Sequence, residues 1–226
     1  MKRSHLAAIA AVLPLFSSGC KSGDIIDPAI EIPDKRVLVV VPFSDTEYGN
    51  GFNSPRGCDL AERVTKLLKS KAEFKVRPQD SVIALYDENN PTKLSARDVA
   101  RLCKADYVLM GAVVDWRLKD ANMASPVFRG SCVIELSLYE TAKAAEERLK
   151  DDKDKDDVPT NGHGRLAFAK RRVTASFPHE YGLNDVGSYS MSEEQIEGGL
   201  MNAAAQQVSW LLLAHTKDEE KLVGGR

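Results

Sequence analysis

Histidine is scarce in this sequence, and the chemistry that depends on it is restricted accordingly. Of the four histidines, His5 lies in the N-terminal leader. His163, His179 and His215 stand apart, none in an H-E-x-x-H pattern or beside another metal ligand. There is no Gly-x-Ser-x-Gly elbow for a serine nucleophile, no Cys-x-x-Cys pair and no Gly-Lys-Ser/Thr to close a phosphate loop. Gly49-Asn50-Gly51 does fall between a strand and a helix, but Gly57 is too far on to complete Gly-x-Gly-x-x-Gly. The triplet reads as a turn before a capped helix. Asp152, Asp154 and Asp156 mimic the first ligands of a calcium loop, yet Asp157 replaces the turn glycine and His163 the final glutamate. The expectation is therefore no catalytic residue, no metal and no cofactor. An enzyme would need a Cys-His pair assembled only in space.

A basic excess is lacking as well. The 226-residue chain carries 31 Lys and Arg against 33 Asp and Glu, and loss of Lys2 and Arg3 with the leader leaves a net charge of −4. A nucleic-acid binder would normally show a basic face, so that class is not expected. Apolar residues make up 43% and charged residues 28%, as in a globular protein with one packed core.

Long apolar runs are absent except at the start. Lys2 and Arg3 precede an apolar stretch, Leu6 to Phe16, too short to span a bilayer and followed by the small residues Ser17, Ser18 and Gly19. This is the layout of an export signal over residues 1–19. Ser18-Gly19-Cys20 resembles a bacterial lipobox, which implies acylation of Cys20 as the lipid anchor. Ser17 stands where the lipobox prefers Leu, so cleavage by an ordinary signal peptidase to give a soluble periplasmic protein is the alternative. Residues 20–35 contain Gly23, Pro28 and Pro33 and no sustained period, and read as a flexible tether. Its fifteen residues after Cys20, at no more than about 3.3–3.6 Å each, would reach up to about 50 Å.

Cys58, Cys103 and Cys132 form an odd remainder in an oxidising compartment, so they cannot be a complete disulfide framework. They read as small buried hydrophobes, with a single bridge as the alternative.

The domain spans residues 36–215. Arg36 to Phe43 is a β-branched run expected of a strand covered on both faces. Ser54 caps a helix with Pro55 at its first position and Leu60, Ala61, Val64, Leu67 and Leu68 inward. Phe74 to Arg77 is a second strand, Gln79 to Tyr86 a short helix, and Ser95 with Asp98 caps another. The strand from Asp106 is apolar on both faces as far as Val114. It then alternates, with Val114, Trp116 and Leu118 opposite Asp115, Arg117 and Lys119. Phe128 to Glu140 alternates throughout. Arg165 to Phe177 changes its apolar parity, which predicts a bulge near Lys170 to Arg172. Ser192 and Gln195 box the start of the last helix, with Ile196, Leu200, Ala204, Val208 and Leu211 inward. The order β-α-β-α-β-β-β-α implies a mixed α/β (α+β) sheet of about five strands: a parallel first part, then an antiparallel meander. Residues 141–163 form a charged insertion, with Lys150 to Asp157 a solvated hairpin loop. Residues 216–226 form a polar tail.

Ala105-Asp106-Tyr107-Val108-Leu109-Met110-Gly111-Ala112-Val113 resembles a strand shared by a group of envelope proteins, and Val37 to Ser44 resembles that group's opening strand. The group includes the Tol translocation protein's N-terminal domain, the lipoprotein activator of penicillin-binding proteins and the periplasmic part of the curli secretion channel. The resemblance implies a periplasmic domain on an outer-membrane lipoprotein that acts by binding another envelope protein. A pore is disfavoured, because the spare insertion is too charged to face lipid and the strands belong to the core. A subunit of a secretion or assembly complex is the alternative. Contact surface is expected at Asp45 to Asn53, Trp116 to Phe128 and His179 to Tyr189, with Tyr48, Phe52, Phe128, Tyr181 and Tyr189 as possible aromatic anchors.

Overall fold

A computed structural model describes residues 24–48, 54–89, 94–119, 130–150, 164–178 and 191–219, with backbone only at 86–89 and 147–150. The β-branched run after Arg36 becomes strand β2 (Val37–Val40), the second in chain order after the short β1 (Ile25–Ile26). Its side chains explain its composition. Leu38 and Val40 enter one buried cluster, whereas Val39 and the following Val41 enter another on the opposite face. A strand buried on both sides needs no polar alternation.

The remaining elements are β3 (Ser44–Asp45), a 3₁₀ turn (Thr46–Tyr48), α1 (Pro55–Lys71), β4 (Lys75–Val76), α2 (Gln79–Asn89) and α3 (Ala96–Leu102). β5 (Tyr107–Arg117), β6 (Gly130–Glu140), α4 (Ala142–Lys150), β7 (Arg165–Phe177), α5 (Glu193–Ser209) and β8 (His215–Thr216) follow. The main sheet runs β4-β2-β5-β6-β7, with β3 beside β5. β2 lies parallel to β4 and β5, and β3 parallel to β5, while β5-β6-β7 form an antiparallel meander. The mixed sheet is the one expected from the element order.

Helices α1 and α5 cover one face and build the main core, which includes Leu60, Val64 and Leu68 from α1 and Leu200, Ala204 and Val208 from α5. On the other face, Val82 from α2 and Val99 from α3 pack against Val39, Val41 and Val108. All three expected caps are present. Ser54 accepts from Gly57 N, and Ser95 and Ser192 form reciprocal capping boxes with Asp98 and Gln195.

The bulge in β7 lies where parity required it. Leu136 opposes Arg171 but Leu138 opposes Phe168, and Lys170 takes a left-handed φ of 50°. A second bulge in β5 was not foreseen. Val113 opposes Ile134 and Asp115 opposes Val133, so Val114 is the extra residue. Val113 and Trp116 therefore face the core, and Val114 does not share the Trp116 face as its spacing suggests.

Domain boundaries shift at both ends. The segment read as a tether belongs to the domain from Asp24 onward: Ile25 and Ile26 pair antiparallel with Thr216 and His215. Ala29 N donates to Leu211 O at 2.9 Å, Lys217 N to Asp24 O at 3.1 Å, and Ile32 is buried in the core. The apolar residues are irregularly spaced because they fill a seam beside the C-terminal chain instead of one face of an element. The tail likewise begins inside the fold, with Thr216 in β8 and Glu219 accepting from Thr216 N. The insertion opens as helix α4, whose Ala144 and Ala145 are buried. Residues 151–163, with most of the proposed hairpin loop, lie outside the described residues.

Candidate functional site

The three segments expected to form contact surface leave the sheet at one end. Asp45 pairs with Val113, Arg117 with Ser131 and Gly130 with Phe177. The starts of α1 and α5 lie there too, and Lys119 reaches Glu193 at 3.3 Å. This end is called the loop pole below. Residues 49–53, 120–129 and 179–190 lie outside the described residues, and with them Phe52, Phe128, Tyr181 and Tyr189. Of the expected aromatic anchors, Tyr48 is described, and it is 55% exposed.

Close backbone approach sets the base of the pole. Phe43 is fully buried, and its N–H donates to Gly57 O in the first turn of α1 at 3.2 Å. A Cβ on Gly57 would stand 1.9 Å from Phe43 O, and one on Gly111 would stand 2.7 Å from the Phe43 ring. Only glycine lets strand, ring and helix meet there. Asp106 does the corresponding work at the strand's other end, accepting from Arg36 Nη1 at 2.9 Å and Val37 N at 3.0 Å. The Asp and Gly of the resembling strand thus bind β5 to the chain around β2, which is a structural role.

Above this base lies a buried carboxylate. Asp45 is inaccessible, and one of its oxygens accepts from Glu47 N at 3.0 Å. The other accepts from Ser54 Oγ at 3.2 Å and Arg56 Nη1 at 3.1 Å. Arg56 also meets Glu47 at 2.8 Å, and its guanidinium lies 4.9 Å from the Trp116 ring centroid and 5.7 Å from that of Tyr48. Trp116 Nε1 and Arg56 Nε are buried with no hydrogen-bond partner among the described residues. Both oxygens of Asp45 are thus occupied, and the carboxylate ties the loop after β3 to the first turn of α1. Sequence reading missed it. The available signal was Arg56 in the first turn of a helix, where the dipole disfavours a cation unless an acid is close by.

Beside the cluster lies a cleft of about 430 Å³ between α1 and α5, lined by Tyr48, Pro55, Arg56, Asp59, Arg63, Glu194, Glu197, Gly198 and Met201. Glu193 and Glu194 occupy the first turn of α5, where the dipole favours acids.

Cys58, Cys103 and Cys132 form no disulfide among the described residues, with Cys58 half-buried and the others buried. Burial pushes the Cys132 thiol up to about 12 and raises that of Cys103. His215 stacks on Trp210 at the far end of the domain, while His163 and His179 lie outside the described residues. Among the described residues no group of three His, Cys, Asp or Glu side chains is placed to hold a metal, and no helix is long and apolar enough to cross a membrane. Cys20 lies outside the described residues.

No protein-family model matches the chain, and neither does any curated protein. Solved structures do resemble it over most of its length. The hypothetical protein CT253 of Chlamydia trachomatis shares 11% identity at a TM-score of 0.43, covering 78% of this chain and 98% of that one. Lipoprotein GNA1162 of Neisseria meningitidis shares 13% at 0.43, covering 77% and 98%. A PelC variant from Paraburkholderia phytofirmans, solved as a dodecamer, shares 16% at 0.42, covering 84% and 100%. Likeness at this level carries no argument about what the chain does, so its own geometry must carry the functional reading.

Proposed function

We propose that this chain is a non-enzymatic lipoprotein of the cell envelope, anchored through Cys20, whose loop pole docks another envelope protein. The observation that supports the reading is that the strand ends leading into three separate segments lie at one end of the sheet, beside a hydrogen-bonded and cation–π cluster of Asp45, Arg56 and Trp116. Binding surfaces are commonly built from loops on a fixed scaffold, with aromatic and arginine anchors at their centre. Exposed Tyr48 lies beside the cluster together with Glu194 and the ion pairs Arg56–Glu47 and Lys119–Glu193, which suits a partner face with aromatic and polar groups.

A photo-crosslinking residue at position 48, introduced in the native organism, tests the reading. A single discrete adduct is expected, lost when Glu193 and Glu194 are both changed to Lys. Full complementation of a deletion strain by Tyr48→Asp combined with those two reversals, at normal abundance, would sink it.

A further inference from the structure

The pairing of β1 with β8 limits how far the chain runs free between Cys20 and the folded domain. Asp24 is tied to Lys217 by a main-chain bond of 3.1 Å and an ion pair of 2.8 Å. From there inward the chain is part of the domain, through Ala29 and buried Ile32. Only Lys21 to Gly23 lie between Cys20 and this clamp, and the four steps from Cys20 to Asp24 span at most about 14 Å. Ile25 is 67% exposed, the most exposed large apolar side chain among the described residues, and it sits on the described strand nearest Cys20 in sequence. Asp24, Asp27, Glu31 and Asp34 surround it in sequence, so charge attraction to anionic lipid does not explain an apolar residue there.

We infer that the β1–β8 end rests on the bilayer that holds the Cys20 lipid, with Ile25 entering the interface and the loop pole directed away. The inference rests on the lipoprotein reading above. A short link keeps the local lipid concentration at Ile25 high, so a single side chain is enough to settle the end of the domain. Helix α1 runs from the loop pole, at Pro55, to the anchor end, where Lys71 meets Glu219. Its 17 residues, at about 1.5 Å each, separate the two ends by about 26 Å. That distance places Tyr48 beyond the reach of acyl chains.

The test uses the full lipidated chain in neutral phosphatidylcholine vesicles with brominated acyl chains. Ile25→Trp and Tyr48→Trp variants are each read against the parent's own tryptophans. About half of the added emission should be quenched for Ile25→Trp, and almost none for Tyr48→Trp, given interfacial burial of roughly 5–10 Å. Equal quenching of the two variants, or none for Ile25→Trp in chains that float with the vesicles, overturns the seating and leaves the anchor intact. Failure of the parent to float, or flotation of Cys20→Ala to the same extent, overturns the lipoprotein reading instead. A twelve-residue Gly/Ser insertion between Gly23 and Asp24 should lower the Ile25→Trp signal to the Tyr48→Trp level, and retained quenching would overturn the role of the short link. Blue-shifted emission from position 25 in detergent that disappears on dilution would assign the surface to a second copy and likewise overturn the inference.

Discussion

The two ends of the sheet are closed by different kinds of interaction. The anchor end is closed largely by main chain: β1 on β8, Ala29 on Leu211 and Lys217 on Asp24. Side-chain ion pairs lie there as well, Arg36 with Asp106 and Arg165 with Glu140, a carboxylate as inaccessible as Asp45. The loop pole depends on one inaccessible carboxylate that holds a loop, a helix cap and a guanidinium together. Main-chain closure tolerates most side-chain substitutions, because any residue except proline supplies the same donors and acceptors. Closure through a buried charge tolerates few, since removing one partner leaves the others desolvated and unpaired. The expected division is between the β1–β8 ladder, which should tolerate substitution, and the Asp45 cluster, which should not.

Asp45→Ala should have the largest effect. It leaves Arg56 with the exposed Glu47 as its remaining acid and takes the acceptor from the Ser54 hydroxyl, and should cost about 3 kcal/mol in urea unfolding. A loss below about 1 kcal/mol would mean that the cluster is solvated and that the contrast between the ends is false. Gly57→Ala follows, because the new methyl would meet Phe43 backbone instead of a side chain free to move aside. About 1–3 kcal/mol is expected, together with a change in near-ultraviolet dichroism from displaced aromatic rings. At the anchor end, Ile26→Pro removes a ladder donor and should cost only about 0.5–1.5 kcal/mol. It should also raise amide exchange over residues 24–31 and 211–217 without raising it in α1. Exchange that spread into α1 would show that the end strands hold up the whole fold.

The smallest effect at neutral pH sharpens the comparison within the loop pole. Cys132 faces Trp116 across β5 and β6, and its thiol is held well above the ordinary 9.0 by burial. A thiol raised on folding contributes stability that is fully present below its unfolded value and lost as pH rises. The parent should therefore lose stability between about pH 9 and 12. Cys132→Ala should cost about 1 kcal/mol at pH 7 and flatten that part of the profile. Identical slopes in parent and variant would show that the thiol is wetter than its surroundings indicate. Rapid alkylation of Cys132 in the native protein at pH 7.5 would show the same.

Much of the scaffold could be read from the chain because its signals are local. Ser54, Ser95 and Ser192 each stand before an apolar period, and the partners of the two capping boxes, Asp98 and Gln195, lie three residues on. The β7 bulge was legible because a half-exposed strand records its parity in polar residues. The β5 bulge was not, because Val113 and Val114 are both apolar and either could face inward. The anchor seam was hidden by distance: Ile25 and Ile32 find their places only beside residues 211–216, and no local period records a partner so far along the chain. The loop pole was half legible. Its three segments stood out as loops with aromatics. The Asp45–Arg56 pair beside them did not, since an acid in a loop and an arginine on a helix are each unremarkable alone.

The union of the first and last strands also bears on the order of events during synthesis. A chain that emerges N-terminus first presents Ile25 and Ile26 long before His215 and Thr216 exist to receive them. Contacts this remote in sequence form late, after the intervening chain has closed its own loops. Residues 25 and 26 therefore stay without their strand partners while the rest is still being delivered. Completion of β8 ends that interval, and the lock comes last.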